Sequence, residues 1–126
     1  MSGRQPLLVI EDDADVRGLI ADRLRGIGYR VECAATGEEG VALARLETPS
    51  LIILDILLPG IDGWEALREI RTASPTRSVS AIVVSIVDAN HPPAVVDAYI
   101  VKPFRSSQIV DKVAELIGPP QSEVMT

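Results

Sequence analysis

The sequence Leu-Ile-Ile-Leu-Asp at residues 51–55 decides the fold class of this chain. Four consecutive apolar residues are too few for a helix, and an apolar run without polar alternation is typical of a strand buried on both faces of a sheet. Residues 7–10 (LLVI) and 81–84 (AIVV) have the same character. Strands buried on both faces belong to parallel sheets, so these runs predict the centre of a parallel sheet.

Two further segments are candidates for outer strands of the same sheet. Residues 29–34 (YRVECA) alternate apolar and polar side chains, as an edge strand with one more exposed face does. Residues 98–101 (AYIV) are a fifth candidate. The sequence therefore predicts five strands.

Helical periodicity occupies most of the intervals between these strands. After Asp13, apolar residues recur at helical spacing until Gly28, a residue typical of helix C-termini. Thr36 and Asp62 are each followed three residues later by a glutamate, the spacing of an N-cap with a reciprocal glutamate, and each predicts a helix of about ten residues. An apolar stripe over residues 109–117 predicts a last helix.

This alternation predicts an α/β fold with a doubly wound, five-stranded parallel sheet. Parallel neighbours need crossover connections, and right-handed crossovers place helices on both faces of the sheet. Residues 86–97 are the exception to the pattern, because Pro92 and Pro93 restrict any helix there to a short piece after them.

Length and composition are those of one globular domain. The 126 residues are 47% hydrophobic and 24% charged, which excludes a disordered chain, and no apolar run is long enough to cross a bilayer. We predict an N-terminal extension at residues 1–5, one domain at 6–118 and a disordered C-terminal tail at 119–126. The polar start and the single cysteine favour a cytoplasmic protein without membrane association.

Charge and histidine content exclude several classes of function. The net charge of −6, with no local cluster of basic residues, disfavours direct nucleic-acid binding. His91 is the only histidine, so histidine-based catalytic triads and His/Cys zinc sites lack the residues they need. We expect any chemistry to depend on carboxylates.

Polar side chains follow the predicted strands at the edge where ligands of open parallel sheets bind. They are Glu11, Asp12, Asp13, Asp55, Ser85 and Lys102. Converging carboxylates repel one another by about 3 kcal/mol per pair at roughly 5 Å and an effective dielectric near 20, so a divalent cation is expected among them. Oxygen ligands of this kind suit Mg²⁺. Lys102 stands between apolar neighbours, where a charge is costly unless an anion such as a phosphoryl group pairs with it.

Together these motifs resemble the receiver domains of two-component response regulators. The resemblance covers residues 6–118 and rests on LLVIEDD at 7–13, DILLPGIDG at 55–63, Ser85, and YIVKPF at 99–104. It implies a flavodoxin-like fold with strand order 2-1-3-4-5. It also implies a phosphoacceptor signalling domain, not an enzyme, that forms an aspartyl phosphate with Mg²⁺. The implied partners are a sensor histidine kinase or histidine phosphotransfer protein and a downstream protein target.

The resemblance assigns the phosphoacceptor and the metal ligands. Asp55 matches the nucleophile that attacks a phosphoryl group on the partner's histidine. Asp12 matches the acid that usually binds Mg²⁺ directly, and Glu11 matches the one that usually acts through water. Asp55 itself and the backbone carbonyl of Leu57 would complete the protein's share of the ligands.

The remaining assignments concern the phosphoryl group and a conformational switch. Ser85 and Lys102 match the residues that contact the phosphoryl oxygens, and the Lys102–Pro103 peptide bond is expected to be cis. Tyr99 matches the aromatic switch that turns inward when the hydroxyl of Ser85 moves. Ser85 and Tyr99 also fit an ordinary strand-end serine and an edge-strand aromatic, and Asp13 is assigned to a helix cap and not to the site.

The chain departs from the family pattern in one region. Only 16 residues separate Ser85 from Lys102, fewer than in most receivers, and VVDA at 95–98 replaces the usual Gly-Ala turn. The fourth helix is therefore expected to be shortened or remodelled, which leaves open whether the chain forms the family's usual homodimer. Ile86 is bulkier than the usual residue there and is expected to slow dephosphorylation.

Other functions fit the sequence less well. A phosphatase of the haloacid dehalogenase type needs a second aspartate two residues after the first, where this chain has Leu57. Flavin binding needs a loop rich in glycine and hydroxyl groups after the first strand, where three acids would repel a phosphate. A degenerate receiver that acts as a phosphorylation-independent scaffold stays open as an alternative. So does a receiver cut from a larger protein.

Overall fold

The computed structural model describes residues 5–86 and 92–120, so most of the predicted N-terminal extension and C-terminal tail lies outside the described residues, as does His91. The strands are β1 (Leu7–Ile10), β2 (Val31–Ala34), β3 (Leu51–Leu54), β4 (Ser80–Ser85) and β5 (Ala98–Val101). The helices are α1 (Ala14–Ile27), α2 (Gly37–Leu46), α3 (Gly63–Ile70) and α4 (Ser106–Ile117), and a 3₁₀ turn spans Ser74–Thr76. The five predicted strands are confirmed, although β2 begins two residues later than the pattern indicates.

The strands form one parallel sheet in the order β2-β1-β3-β4-β5, which confirms the order that the resemblance implies. The register pairs Ile10 of β1 with Leu54 of β3, and Leu54 with Val83 of β4. The next residue's amide, that of Asp55, donates to the carbonyl of Ile10 over 3.0 Å. Because the central strands end level with one another, the residues that follow them meet at one edge.

Each face of the sheet carries its own hydrophobic core, which confirms helices on both faces. One core joins the sheet to α2 and α3 and includes Leu8 and Ile10 of β1. The other joins it to α1 and α4 and includes Leu7 and Val9. Successive side chains of a strand point to opposite faces, so every residue of β1 must be apolar. None of the helices in the described ranges has both the length and the apolar character of a membrane span.

The N-caps of α2 and α3 are those that the sequence predicts. The predicted bond from each N-cap N–H back to the glutamate three residues later is not found among the described residues. Thr36 accepts a hydrogen bond from the backbone N–H of Glu39 over 3.0 Å, and Asp62 accepts one from that of Glu65 over 2.9 Å. The carboxylate of Glu39 reaches past the cap and accepts from the N–H of Ala35 over 2.9 Å. Glu65 pairs instead with an arginine one turn further along its own helix.

The described end of the connection from β4 to β5 is not helical, which agrees with the shortened or remodelled fourth helix that the sequence predicts. Residues 92–97 adopt bends and contain no helix, so the short helical piece allowed for after the prolines is not found in them. Residues 87–91 lie outside the described part of the chain.

Two polar side chains hold this connection against the rest of the domain. Arg71 is the C-cap residue of α3. Its guanidinium donates to the carbonyl oxygens of Val95 over 2.7 Å and Val79 over 2.8 Å. The carboxylate of Asp97 accepts from the N–H of Ala81 over 2.9 Å. These contacts tie residues 95–97 to α3 and β4.

Candidate functional site

Two acidic side chains are buried at the carboxyl edge of the sheet. Glu11 follows β1 and is 2% exposed, and Asp55 follows β3 and is 5% exposed. Both sit there because the register of β1 and β3 makes the two strands end side by side. Buried carboxylates are costly unless they are paired, so each needs a partner.

Lys102 is the partner that the two carboxylates share. Its ammonium nitrogen lies 3.0 Å from Oε1 of Glu11 and 3.0 Å from Oδ2 of Asp55. The lysine follows β5, and its backbone N–H donates to the carbonyl of Ser85 over 2.9 Å. The Lys102–Pro103 peptide bond is cis. The charge that looks costly in the sequence is thus balanced by carboxylates from two other strands.

Asp12 adds a third carboxylate to the cluster. Carboxylate oxygens of Glu11, Asp12 and Asp55 all lie within 4.8 Å of one another, and Asp12 is exposed to solvent. A compact set of oxygen ligands that is open on one side fits a hard cation such as Mg²⁺. Asp13 has a different place, because its carboxylate caps α1 by accepting from the N–H groups of Asp15 and Val16.

The electrostatics of the cluster follow from its burial. Burial raises the pKa of Glu11 even though Lys102 and a backbone N–H donate to its carboxylate. Burial also acts to lower the pKa of Lys102, but hydrogen bonds to Glu11 and Asp55 outweigh it and raise that pKa above its ordinary value. Lys102 therefore stays charged, and a single ammonium faces more than one carboxylate. An added cation would improve this balance.

Residues of the loop after β3 contact both the carboxylate and the backbone of Asp55. The N–H of Leu57 donates to Oδ1 of Asp55 over 3.2 Å, so the two carboxylate oxygens of Asp55 have different partners. Gly63 approaches the backbone of this residue so closely that a Cβ there would lie 2.2 Å from the carbonyl oxygen of Asp55. Only glycine fits at that position, which explains the glycine that ends the motif at 55–63.

Ser85 and Tyr99 lie on the neighbouring strands. Ser85 ends β4 and is fully buried, at the same edge as the carboxylates. Tyr99 lies on β5 beside Val83 and packs, half-buried, against the core under α2 and α3. The structure thus brings Ser85 to the edge of the site, while Tyr99 lies further back along the sheet.

Arg17 also belongs to this edge of the sheet. Its guanidinium donates to the carbonyl oxygen of Glu11 over 2.9 Å and contacts that of Asp12 at 3.5 Å. The sequence shows only a basic residue one helical turn after the acidic motif, which is too common a pattern to mark a functional residue.

A family model for the response regulator receiver domain matches residues 7–114. The match covers most of the chain and includes all three carboxylates of the cluster. The chain belongs to this family. Receiver domains are signalling domains of two-component systems, in which they interact with histidine kinases and downstream effectors. The resemblance seen in the sequence and the fold that it implies are confirmed, and the family implies phosphorylation on aspartate and Mg²⁺ binding.

Named relatives and solved structures agree with this membership. The probable transcriptional regulator ycf27 of Porphyra purpurea is 30% identical over 135 residues, which cover 98% of this chain and 56% of the relative. The receiver domain thus spans about half the length of such relatives.

Two solved structures illustrate the likeness in fold. Chemotaxis protein CheY4 of Vibrio cholerae superposes with a TM-score of 0.85 at 22% identity, over 91% of this chain and 100% of that one. The receiver domain of sensor histidine kinase PA1611 from Pseudomonas aeruginosa superposes with a TM-score of 0.83 at 30% identity, over 92% of this chain and 99% of that one. That structure has a magnesium ion coordinated in its active-site cleft.

Proposed function

We propose that this receiver domain accepts a phosphoryl group on Asp55 from a sensor histidine kinase or histidine phosphotransfer protein, with Mg²⁺, and then changes its protein-binding surface. The observation that carries the proposal is the position of the Lys102 ammonium, 3.0 Å from both Glu11 and Asp55 at an edge where three carboxylates converge. A lysine and a carboxylate cluster so placed can accommodate an incoming phosphoryl group and a cation together.

In this proposal Asp55 is the nucleophile. One of its oxygens forms a bond to phosphorus as the bond between phosphorus and the partner's histidine nitrogen breaks, and the imidazole leaves with the electron pair of that bond. The N–H of Leu57 and the ammonium of Lys102 hold the carboxylate in place before the transfer. Afterwards Lys102 is close enough to pair with the phosphoryl oxygens, since it already lies within hydrogen-bond distance of the acceptor.

We assign the metal to Glu11, Asp12 and Asp55, with the backbone carbonyl of Leu57 as a further ligand. The oxygen chemistry of these groups and their spacing within 4.8 Å fit Mg²⁺. The magnesium ion in the PA1611 receiver domain supports this assignment. When bound, the cation offsets the negative charge that the carboxylate and the phosphoryl group bring together.

The output of the proposed switch passes through Ser85 and Tyr99. A phosphoryl group adds a charge of about −1.5 to −2, and it shifts the domain only by binding better in one of two conformations. Movement of the Ser85 hydroxyl toward that group would open space for Tyr99. The segment at 92–97 then gives this domain a target surface of its own, and whether the domain forms the family's usual homodimer stays open. We also propose the domain boundaries 6–118 and a cytoplasmic location, with which the free thiol of Cys33 is compatible.

Intact-protein mass spectrometry after incubation with Mg²⁺ and acetyl phosphate tests the proposal. We expect one added phosphoryl group, which Asp55→Asn abolishes and EDTA prevents. Asp62→Asn is the matched control, because it changes a nearby acid that only caps α3 and because asparagine is an equally good cap. A wild-type domain that is folded and binds Mg²⁺ but gains no phosphoryl group would favour the scaffold alternative.

A further inference from the structure

Arg17 connects the first helix to the loop that carries two of the three carboxylates. It lies on α1, one turn after the acidic motif, and is only partly exposed. Its Nη1 atom donates to the carbonyl of Glu11 over 2.9 Å and lies 3.5 Å from the carbonyl of Asp12. The guanidinium is planar and always charged, so this one nitrogen lies at a fixed position between two neighbouring carbonyl groups.

The carbonyl groups that Arg17 contacts belong to the residues whose side chains enter the cluster. The backbone of this loop has two other contacts: the N–H of Glu11 donates to the carbonyl of Ala34 over 3.0 Å, and the N–H of Asp13 donates to Oε2 of Glu11 over 3.2 Å. Asp12 is exposed and projects from a short loop, so the direction of its carboxylate depends on how well the backbone beneath it is held. Arg17 supplies such a support from the helix.

We propose that Arg17 is a positioning residue for the metal site: it fixes the backbone of Glu11 and Asp12 so that their carboxylates converge on Asp55. This inference rests on the metal site of the proposed function, but the support itself acts on the protein before any cation binds. Groups that orient metal ligands from behind contribute about 10-fold to 100-fold to metal affinity in other proteins.

The direction in which Mg²⁺ affinity changes on replacement of Arg17 distinguishes a positioning role from a purely electrostatic one. Arg17 carries a positive charge close to an acidic cluster, so removal of the charge alone would tighten the binding of a cation. Loss of the backbone support would weaken it. We therefore expect Arg17→Ala to bind Mg²⁺ about 10-fold more weakly although it removes a repulsive charge. Arg17→Lys, which keeps the charge but replaces the planar guanidinium with a shorter, more flexible group, should have an affinity between those of Arg17→Ala and the wild type.

A calorimetric titration measures the affinity of each variant for Mg²⁺. Hydrogen exchange of the backbone amides at residues 11–13 in EDTA measures how firmly Arg17 holds the loop without metal. Arg23→Ala is the matched control, because Arg23 is an exposed arginine on the same helix; its affinity for Mg²⁺ should equal or slightly exceed that of the wild type. Circular dichroism verifies that each variant is folded.

Two results would overturn the inference about Arg17. One is an affinity of Arg17→Ala for Mg²⁺ equal to or higher than that of the wild type. The other is unchanged hydrogen exchange at 11–13 in metal-free Arg17→Ala. If the wild type binds no Mg²⁺, the proposed metal site is wrong, and the exchange measurement alone then decides whether Arg17 holds the loop.

Discussion

Replacement of Lys102 by methionine should destabilise the domain in a way that Mg²⁺ repairs. Methionine keeps most of the length and the apolar stem of lysine but removes the ammonium that lies 3.0 Å from both Glu11 and Asp55. Those two carboxylates are 2% and 5% exposed, so solvent cannot take over the role of the lysine. The variant would hold two buried carboxylates, with Asp12 nearby, and no cation among them.

The magnitude follows from the distances and the burial. Each contact at 3.0 Å corresponds to about 5 kcal/mol of Coulomb attraction at an effective dielectric near 20, before the solvation that the lysine regains is subtracted. Removal of one partner from buried ion pairs typically costs about 3 to 5 kcal/mol. The Lys102 side chain is 17% exposed, which places the expected loss near the lower limit, about 3 kcal/mol. For a domain of this size that is a fall in Tm of roughly 10 to 15 °C.

Mg²⁺ should restore most of this loss, since it supplies the missing positive charge. At a concentration 100 times its Kd, a ligand that binds only the folded state adds about 2.7 kcal/mol. We therefore expect thermal or urea unfolding of Lys102→Met to approach the metal-free wild type when Mg²⁺ is saturating, and to be far less stable in EDTA.

The second lysine of the chain provides the control for this experiment. Lys112 pairs with Glu115 at 3.0 Å on the surface of α4, where an ion pair contributes at most about 1 kcal/mol. Lys112→Met should therefore change the stability little, and it should gain as much stability from Mg²⁺ as the wild type does. The reasoning is refuted if Lys102→Met is as stable as the wild type in EDTA. It is equally refuted if Lys102→Met is unstable but gains no more from Mg²⁺ than Lys112→Met does.

Three further predictions concern the surroundings of the site. Asp13→Ala should cost about 1 kcal/mol of stability by removing the cap of α1, while its Mg²⁺ affinity stays close to that of the wild type. Asp12→Ala should instead weaken Mg²⁺ binding and leave the stability nearly unchanged, so equal losses of affinity in the two variants would contradict this division of roles. Arg71→Ala should cost about 1 to 3 kcal/mol by unpairing two backbone carbonyls and should speed hydrogen exchange at residues 92–97; unchanged exchange there would mean that the connection is held by its own packing. Burial raises the pKa of Cys33 above its ordinary value, so its thiol is mostly protonated at pH 8. It should therefore react with iodoacetamide more slowly in the folded than in the unfolded protein, and equal rates would contradict this prediction.

The sequence predicts the sheet well because the signal is local and strong. The residues at 7–10 and 51–54 need no information from the rest of the chain to indicate two-sided burial, and both runs are strands with the predicted bounds. The outer strand is less well bounded, because Tyr29 is apolar and buried yet lies in the turn before β2, where its hydroxyl donates to the carbonyl of Gly118 over 2.6 Å. Burial of that tyrosine comes from packing against the end of α4, which no local pattern can reveal.

The connection between β4 and β5 shows where local reasoning ends. The prolines and the short spacing exclude a normal helix, and residues 92–97 indeed contain none. The described residues 95–97 are held by Arg71, which lies 24 residues before Val95, and by a bond from the N–H of Ala81 to Asp97. Such contacts join residues that are distant in sequence, so the pattern can state that the segment is unusual but not how it is held.

For the site, the sequence by itself determined which residues follow the strands and that the set is acidic with one lysine, because strand ends can be located from apolar runs. The sequence also assigns Asp13 to the cap of α1, and the structure confirms it. The tertiary structure alone decided that Lys102 bridges Glu11 and Asp55 and that Arg17 donates to the carbonyl of Glu11. The physical reason is one of scale. Strands and caps are set by interactions over two to four residues, whereas the pairing of a buried charge depends on which distant strand the register places beside it.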